Sequence, residues 1–131
     1  MNQEAKETTS ITQGQAVNAH GALQKLYGQN IPSDTAFDVY MMIQELKPIV
    51  NFQQDQRQKI IMEMKPRVEN EGRTLNFGSP ERLQEYQEKI RKLEELPLEI
   101  QIEPVDIQLT HDLVIAPADI ENLKGFANCH K

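Results

Sequence analysis

Apolar residues along this chain recur first at helical spacing and, towards its end, at every second position. Residues 1–10 are polar and aperiodic and read as a loose tail, so a single domain is expected over 11–131. Thr12 and Gln15 open the first periodic segment in the pattern of a capping box. Ala16, Val17, Leu23, Leu26 and Tyr27 then follow at helical intervals, and Gly28 with Asn30 offers a stop. Gly14, Gly21 and Gly28 fall on roughly one face of this helix. In mid-helix Gly21 costs about 1 kcal/mol relative to alanine, and it reads as a tolerated surface glycine.

The strongest helical pattern spans residues 34–64, with Ser33 as its expected N-cap. Val39, Met42, Ile43, Leu46, Ile49 and Val50 form the stripe. Phe37, Tyr40 and Met41 widen it, so the first half is expected to be largely buried. Pro48 predicts a kink, or two helices in place of one. Residues 53–59 (QQDQRQK) are wholly polar and predict a solvated middle before Ile60, Ile61, Met62 and Met64 resume the apolar pattern. Pro66 ends the helix, Asn70-Glu71-Gly72-Arg73 is a turn, and Thr74-Leu75-Asn76-Phe77 predicts a short strand. Ser79-Pro80-Glu81 then starts a third helix. Its narrow seam is Leu83, Tyr86, Ile90 and Leu93, flanked by the i,i+4 pairs Glu85–Lys89 and Glu88–Lys92.

After Pro97 the period changes to two. Leu98, Ile100 and Ile102 alternate with polar residues, and so do Val105, Ile107 and Leu109, which predicts half-buried strands with a solvated acidic face. Pro104 confines this ribbon to a sheet edge or marks a bend. Leu113-Val114-Ile115 is a candidate further strand, and Ala116-Pro117-Ala118-Asp119 opens a short terminal helix with Ile120, Leu123 and Phe126 inward. The expected fold class is α+β: a helix-dominated single domain with one long central helix, a small antiparallel sheet and a short C-terminal helix.

Charge narrows the possible partners. The chain of 131 residues carries 14 bases and 20 acids, a formal net charge of -6. Residues 93–123 hold eight acids and no base. A nucleic-acid backbone selects clustered Lys and Arg, and none occurs, so no nucleic-acid partner is expected. No apolar run approaches the roughly 18 residues of a membrane span, and the first residues lack a signal-peptide core, so a cytoplasmic protein without a membrane partner is expected. Cys129, the one cysteine, excludes an internal disulfide and a multi-cysteine zinc site. Neither GxGxxG nor GxxxxGK[ST] is present.

Candidate chemistry is sparse. His20 reads as a packing histidine of the first helix. His111 sits beside Asp112 with no nucleophile or second ligand nearby, and Cys129-His130 lies where chains fray. Glu99, Glu103 and Asp106 form a candidate acidic face. Extended strands splay carboxylates apart, so electrostatic steering of a basic partner suits it better than metal binding. Met41 and Met42 read as core, while Met62 and Met64 are divided between core and interface. No catalytic, metal or cofactor-binding residue and no cofactor is assigned.

Four segments resemble a family of small uncharacterised proteins encoded by tailed phages and prophages. They are GQAVNAHGALQKLYGQNIPSDTAFDVYMMIQEL, the long polar helix after it, NEGRTLNFGSPERLQEYQEKIRKLEEL, and IQLTHDLVIAPADIENLKGF. The resemblance implies a phage accessory or assembly protein that works by binding and carries over no catalytic residue. The leading expectation is therefore a non-enzymatic protein-binding protein. Two alternatives stay open: an inhibitor of a host defence system, as an acidic nucleic-acid mimic or by sequestering a nucleotide, and a small hydrolase with an acidic metal site. Ile60, Ile61, Met62 and Met64 are the candidate interface. They are met either by a second copy, giving a homo-oligomer, or by the third helix folding back; self-association is the expectation taken forward.

Overall fold

The computed structural model describes residues 11–109 and 113–130. The elements run α1 (Gln13–Tyr27), α2 (Ser33–Met64), β1 (Arg67–Glu69), β2 (Thr74–Asn76), α3 (Pro80–Glu94), β3 (Val105–Gln108), α4 (Pro117–Asn122) and β4 (Ala127–His130). The architecture is α+β and dominated by helix, with a long central helix, a small antiparallel pair and a short C-terminal helix. The expected tail over 1–10 and His111 lie outside the described residues.

α1 begins as its sequence dictates. Thr12 Oγ1 accepts from the Gln15 amide at 3.2 Å, and Gln15 Oε1 accepts from the Thr12 amide at 2.9 Å. Ala16, Ala19 and Ala22 line one side of α1, and their small size lets α2 approach closely. Leu23 and Leu26 continue that contact against Val39, Met42, Ile43 and Leu46. Val105 and Ile107 of β3, with Leu123, Phe126 and Ala127, close the same core from the other end of the chain.

α2 has 32 residues, about 48 Å at 1.5 Å per residue, and continues through Pro48, so the two-helix alternative does not hold. Pro48 lies on the exposed side, where the carbonyl it leaves without an N–H can reach water. The helix starts at Ser33 with Pro32, not Ser33, in the cap position. It ends at Lys65, which takes a left-handed conformation (φ 51°) directly before Pro66. The core takes its α2 residues from Val39 to Leu46, with Ile49 packed against it, and Gln53 still reaches Gln13 of α1, so the last turns of α2 extend beyond α1. There α3 folds back along it. Arg82 donates to the Met64 carbonyl, Lys89 Nζ lies 3.9 Å from Glu63, and Arg57 pairs with Glu94.

Several expectations are corrected. Phe37, Tyr40 and Met41 are 62%, 43% and 49% exposed, because α1 covers only the opposite side of α2. The polar stretch 53–59 is solvated only in part: Gln54, Asp55, Gln58 and Lys59 are exposed, whereas Gln53 is 2% exposed and Gln56 and Arg57 are half-buried, Arg57 pairing with Glu94 of α3. The seam of α3 begins a turn later than expected. Leu83 is exposed, whereas Tyr86 stacks on Phe77 at 4.5 Å and Leu93 is buried. Glu88 pairs with Arg91, and Lys89 reaches across to α2, in place of the expected i,i+4 pairs.

The sheets also differ from the expected meander. β1 and β2 form an antiparallel hairpin around the 70–73 turn, with Val68 opposite Leu75. β3 pairs in parallel with β4, Ile107 opposite Cys129, so the C-terminal residues are strand and not a frayed end. Residues 98–104 form no ladder strand. Proline bounds this stretch on both sides, the Leu98 amide donates to the Ile11 carbonyl at 2.8 Å, and Leu98 and Ile102 pack on the core. Residues 113–115 are no strand either, since the Gln29 side-chain amide supplies the partner a neighbouring strand would give. Gly125 turns the chain from α4 into β4 at φ 86°, a conformation L side chains rarely adopt.

Candidate functional site

The side of α2 opposite the core carries an unusual load of apolar residues. Helical geometry places Phe37, Met41, Pro48 and Phe52 at successive offsets of four, seven and four, which keeps them in one narrow outward stripe. All four are exposed. Tyr40 flanks the stripe and packs on Tyr27 at a ring-centroid distance of 6.0 Å. Asp34, Asp38 and Glu45 lie along the same side. Beside it, a cleft of about 310 Å³ opens between α2 and the start of β3, with Asp38 and Glu45 on one wall and Glu103 and Asp106 on the other. Met41 contributes to both the stripe and the cleft, and the buried Met42 lines the cleft beside it.

The candidate acidic residues thus divide. Glu103 and Asp106 reach this cleft, while Glu99 is exposed elsewhere on the irregular 98–104 segment. Asp106 accepts from Asn128 at 3.4 Å and sits 3.2 Å from His130 Nε2. The hydrogen bond to His130, then that to Asn128, holds the Asp106 carboxyl below the usual carboxylate range. An oriented Asp–His pair is a fragment of catalytic hardware. It lacks an adjoining nucleophile, because Cys129 alternates to the other side of the strand, where burial pushes its thiol pKa up. Among the described residues, no three His, Cys, Asp or Glu side chains converge as a metal site.

The candidate interface on the distal half of α2 also divides. Met64 is buried and Ile60 and Ile61 are half-buried beside α3, whereas Met62 is 66% exposed. The folding-back alternative accounts for Met64. His20 borders the groove between α1 and α2, where burial, and then the charge of Lys47, lower its pKa.

Sequence reasoning missed the polar seam that fixes α3. Gln53 Nε2 donates to Gln13 Oε1 at 2.9 Å and to the Leu93 carbonyl at 3.0 Å. The Gln13 amide in turn donates to the Leu96 carbonyl at 2.8 Å. A Cβ at Gly14 would stand 2.9 Å from Glu94 Cβ and 3.0 Å from its carbonyl oxygen, so the helices meet there at glycine distance. The seam holds the acidic segment after α3 against the start of α1.

Comparison with protein-family models, curated proteins and solved structures returns no match. Among the described residues, no helix is long and apolar enough to cross a membrane.

Proposed function

We propose that this chain is a non-enzymatic protein-binding module, an accessory or assembly protein of the tailed-phage kind that its four sequence segments resemble. The observation that supports binding is the outward stripe of α2, where Phe37 and Met41 stand in water although the same helix has a full core face behind them. Large apolar side chains grouped on a surface mark interaction sites. The phage assignment is supported by the resemblance alone. Selection of displayed random peptides against the native chain tests the reading. The enriched peptides should lose binding to a Phe37→Ser, Met41→Ser variant, whose exposed changes leave the core intact. Enrichment of peptides that bind the variant equally well would refute it.

The nucleic-acid-mimic form of the counter-defence reading calls for one continuous face of free carboxylates. Glu94, Glu95, Asp119 and Glu121 are instead ion-paired with Arg57, Arg91, Lys25 and Lys124, which favours the protein-binding reading. Self-association through the distal half of α2 is the second reading, favoured by the exposure of Met62 and Val68. Light scattering at micromolar concentration tests it: a particle heavier than 15.1 kDa supports self-association, and a 15.1 kDa particle removes it.

A further inference from the structure

Charge around the outward stripe of α2 is one-sided. Residues 26–46 carry three acids and no base, and residues 93–123 carry eight acids and no base. These two stretches are far apart in the chain, and the fold brings two acids of each, Asp38 and Glu45 from the first and Glu103 and Asp106 from the second, to the walls of one cleft. The next base along α2, Lys47, borders the groove towards α1 on the other side of the helix. Among the described residues, no Lys or Arg pairs with these four carboxylates, and Asp106 has the His130 imidazole beside it at 3.2 Å. The stripe itself runs from Phe37 to Phe52, about 22 Å or four turns at 1.5 Å per residue. Offsets of four and seven are those along which a second helix lays its own apolar side.

We propose that this face binds a basic amphipathic helix of a partner protein, a reading that deepens and rests on the protein-binding function above. The apolar side of that helix lies on Phe37, Met41 and Phe52, and its Lys or Arg side chains reach the cleft carboxylates. Charge selects the occupant. In a two-fold pairing of this face with a second copy, centred near Glu45, carboxylates would oppose carboxylates. Nucleic acid and anionic lipid surfaces are repelled for the same reason. Cationic side chains gain from the field of the four cleft carboxylates, which also speeds their encounter.

The test uses a labelled synthetic helix of about 18 residues, leucine on one side and lysine on the other, and a twin with glutamate for lysine. Both are titrated into the full chain by fluorescence anisotropy at about 50 mM and about 300 mM salt. The lysine helix should bind at least about tenfold more tightly than its twin, and roughly tenfold less tightly at the higher salt. Asp38→Asn, Glu45→Gln and Glu103→Gln combined should weaken it about tenfold, and Phe37→Ser with Met41→Ser should weaken it at least as much. Thermal melts establish that both variants fold; if the neutralised variant does not, the twin and the salt series still decide. Equal binding of the two helices, or binding insensitive to salt, overturns the basic partner. If both helices nonetheless depend on Phe37 and Met41, the protein-binding reading survives that failure. Binding of neither helix at about 100 µM overturns the proposal. Binding indifferent to Phe37 and Met41 overturns this face as the site.

Discussion

Replacing Gln53 by methionine removes the polar clasp between α1, α2 and α3 while keeping the length and most of the volume of the side chain. Two hydrogen bonds are lost, to Gln13 Oε1 at 2.9 Å and to the Leu93 carbonyl at 3.0 Å. Each contributes about 0.5–1.5 kcal/mol net. The Leu93 carbonyl keeps the Leu96 amide at 3.3 Å, and Gln13 Oε1 is near enough to the surface to find water, so little unsatisfied-group penalty is added. The sum is about 1–3 kcal/mol, which for a chain of this length is a Tm lowered by roughly 4–12 °C. Gln53→Glu is the sharper probe. Its carboxylate would face two oxygen acceptors at a site 2% exposed, so the variant should be far less stable at neutral pH. It should regain stability as the acid protonates and can again donate. Urea and thermal unfolding across pH, read by circular dichroism, measure both. A methionine variant within about 0.3 kcal/mol of the native chain, together with a glutamate variant that shows no recovery on acidification, would refute the clasp.

Gly14→Ala should destabilise the chain by about 1–3 kcal/mol, because the new methyl meets the Glu94 backbone at 3.0 Å, whereas Gly21→Ala, with open space around it, should stabilise by up to about 1 kcal/mol; thermal melts of the pair check both. His20 has a folded pKa below its ordinary 6.5, so the native state binds fewer protons than the unfolded one between the two values. Stability should therefore be level above that pH and fall as pH drops through 6.5 towards the lowered value, and His20→Gln should show a smaller loss of Tm between about pH 7.5 and about pH 5. Phe126→Ala, at a position with no exposure, should cost about 3–5 kcal/mol in urea unfolding, as befits a core residue supplied by the last few residues of the chain.

What the sequence made legible is what local chemistry decides. The Thr12–Gln15 box, Ser79 before Pro80, the Pro66 stop and the apolar stripe from Val39 to Leu46 each act within one or two turns, and each stands where its pattern put it. The misses are decided by partners distant in the chain. Gln53 is buried because Gln13 and Leu93 present acceptors to it, and nothing in QQDQRQK records that. Phe37 and Met41 looked like core because an apolar face can be read from spacing, but which side of a helix meets a neighbour cannot. Alternation over residues 98–103 reflected packing of Leu98 and Ile102 on the core without a ladder. β4 is only four residues long, too short for its alternation to stand out, and was recruited by β3 through parallel pairing across 22 positions. Of the candidate site, Glu103 and Asp106 were legible as acids facing out, while their meeting with Asp38 and Glu45 was set by the fold.

The central claim is that the working surface is the proximal outward side of α2 and not its distal end. Methionine methyl resonances separate these directly, since Met41 is in the acidic cleft, Met42 is buried beside it, and Met62 stands exposed near the other end of the same helix. In a chain labelled at the methionine methyls, titration with the lysine helix should shift Met41 most, with Met62 unmoved. A Met62 shift with Met41 unchanged would contradict the account and return the interface to the distal half of α2.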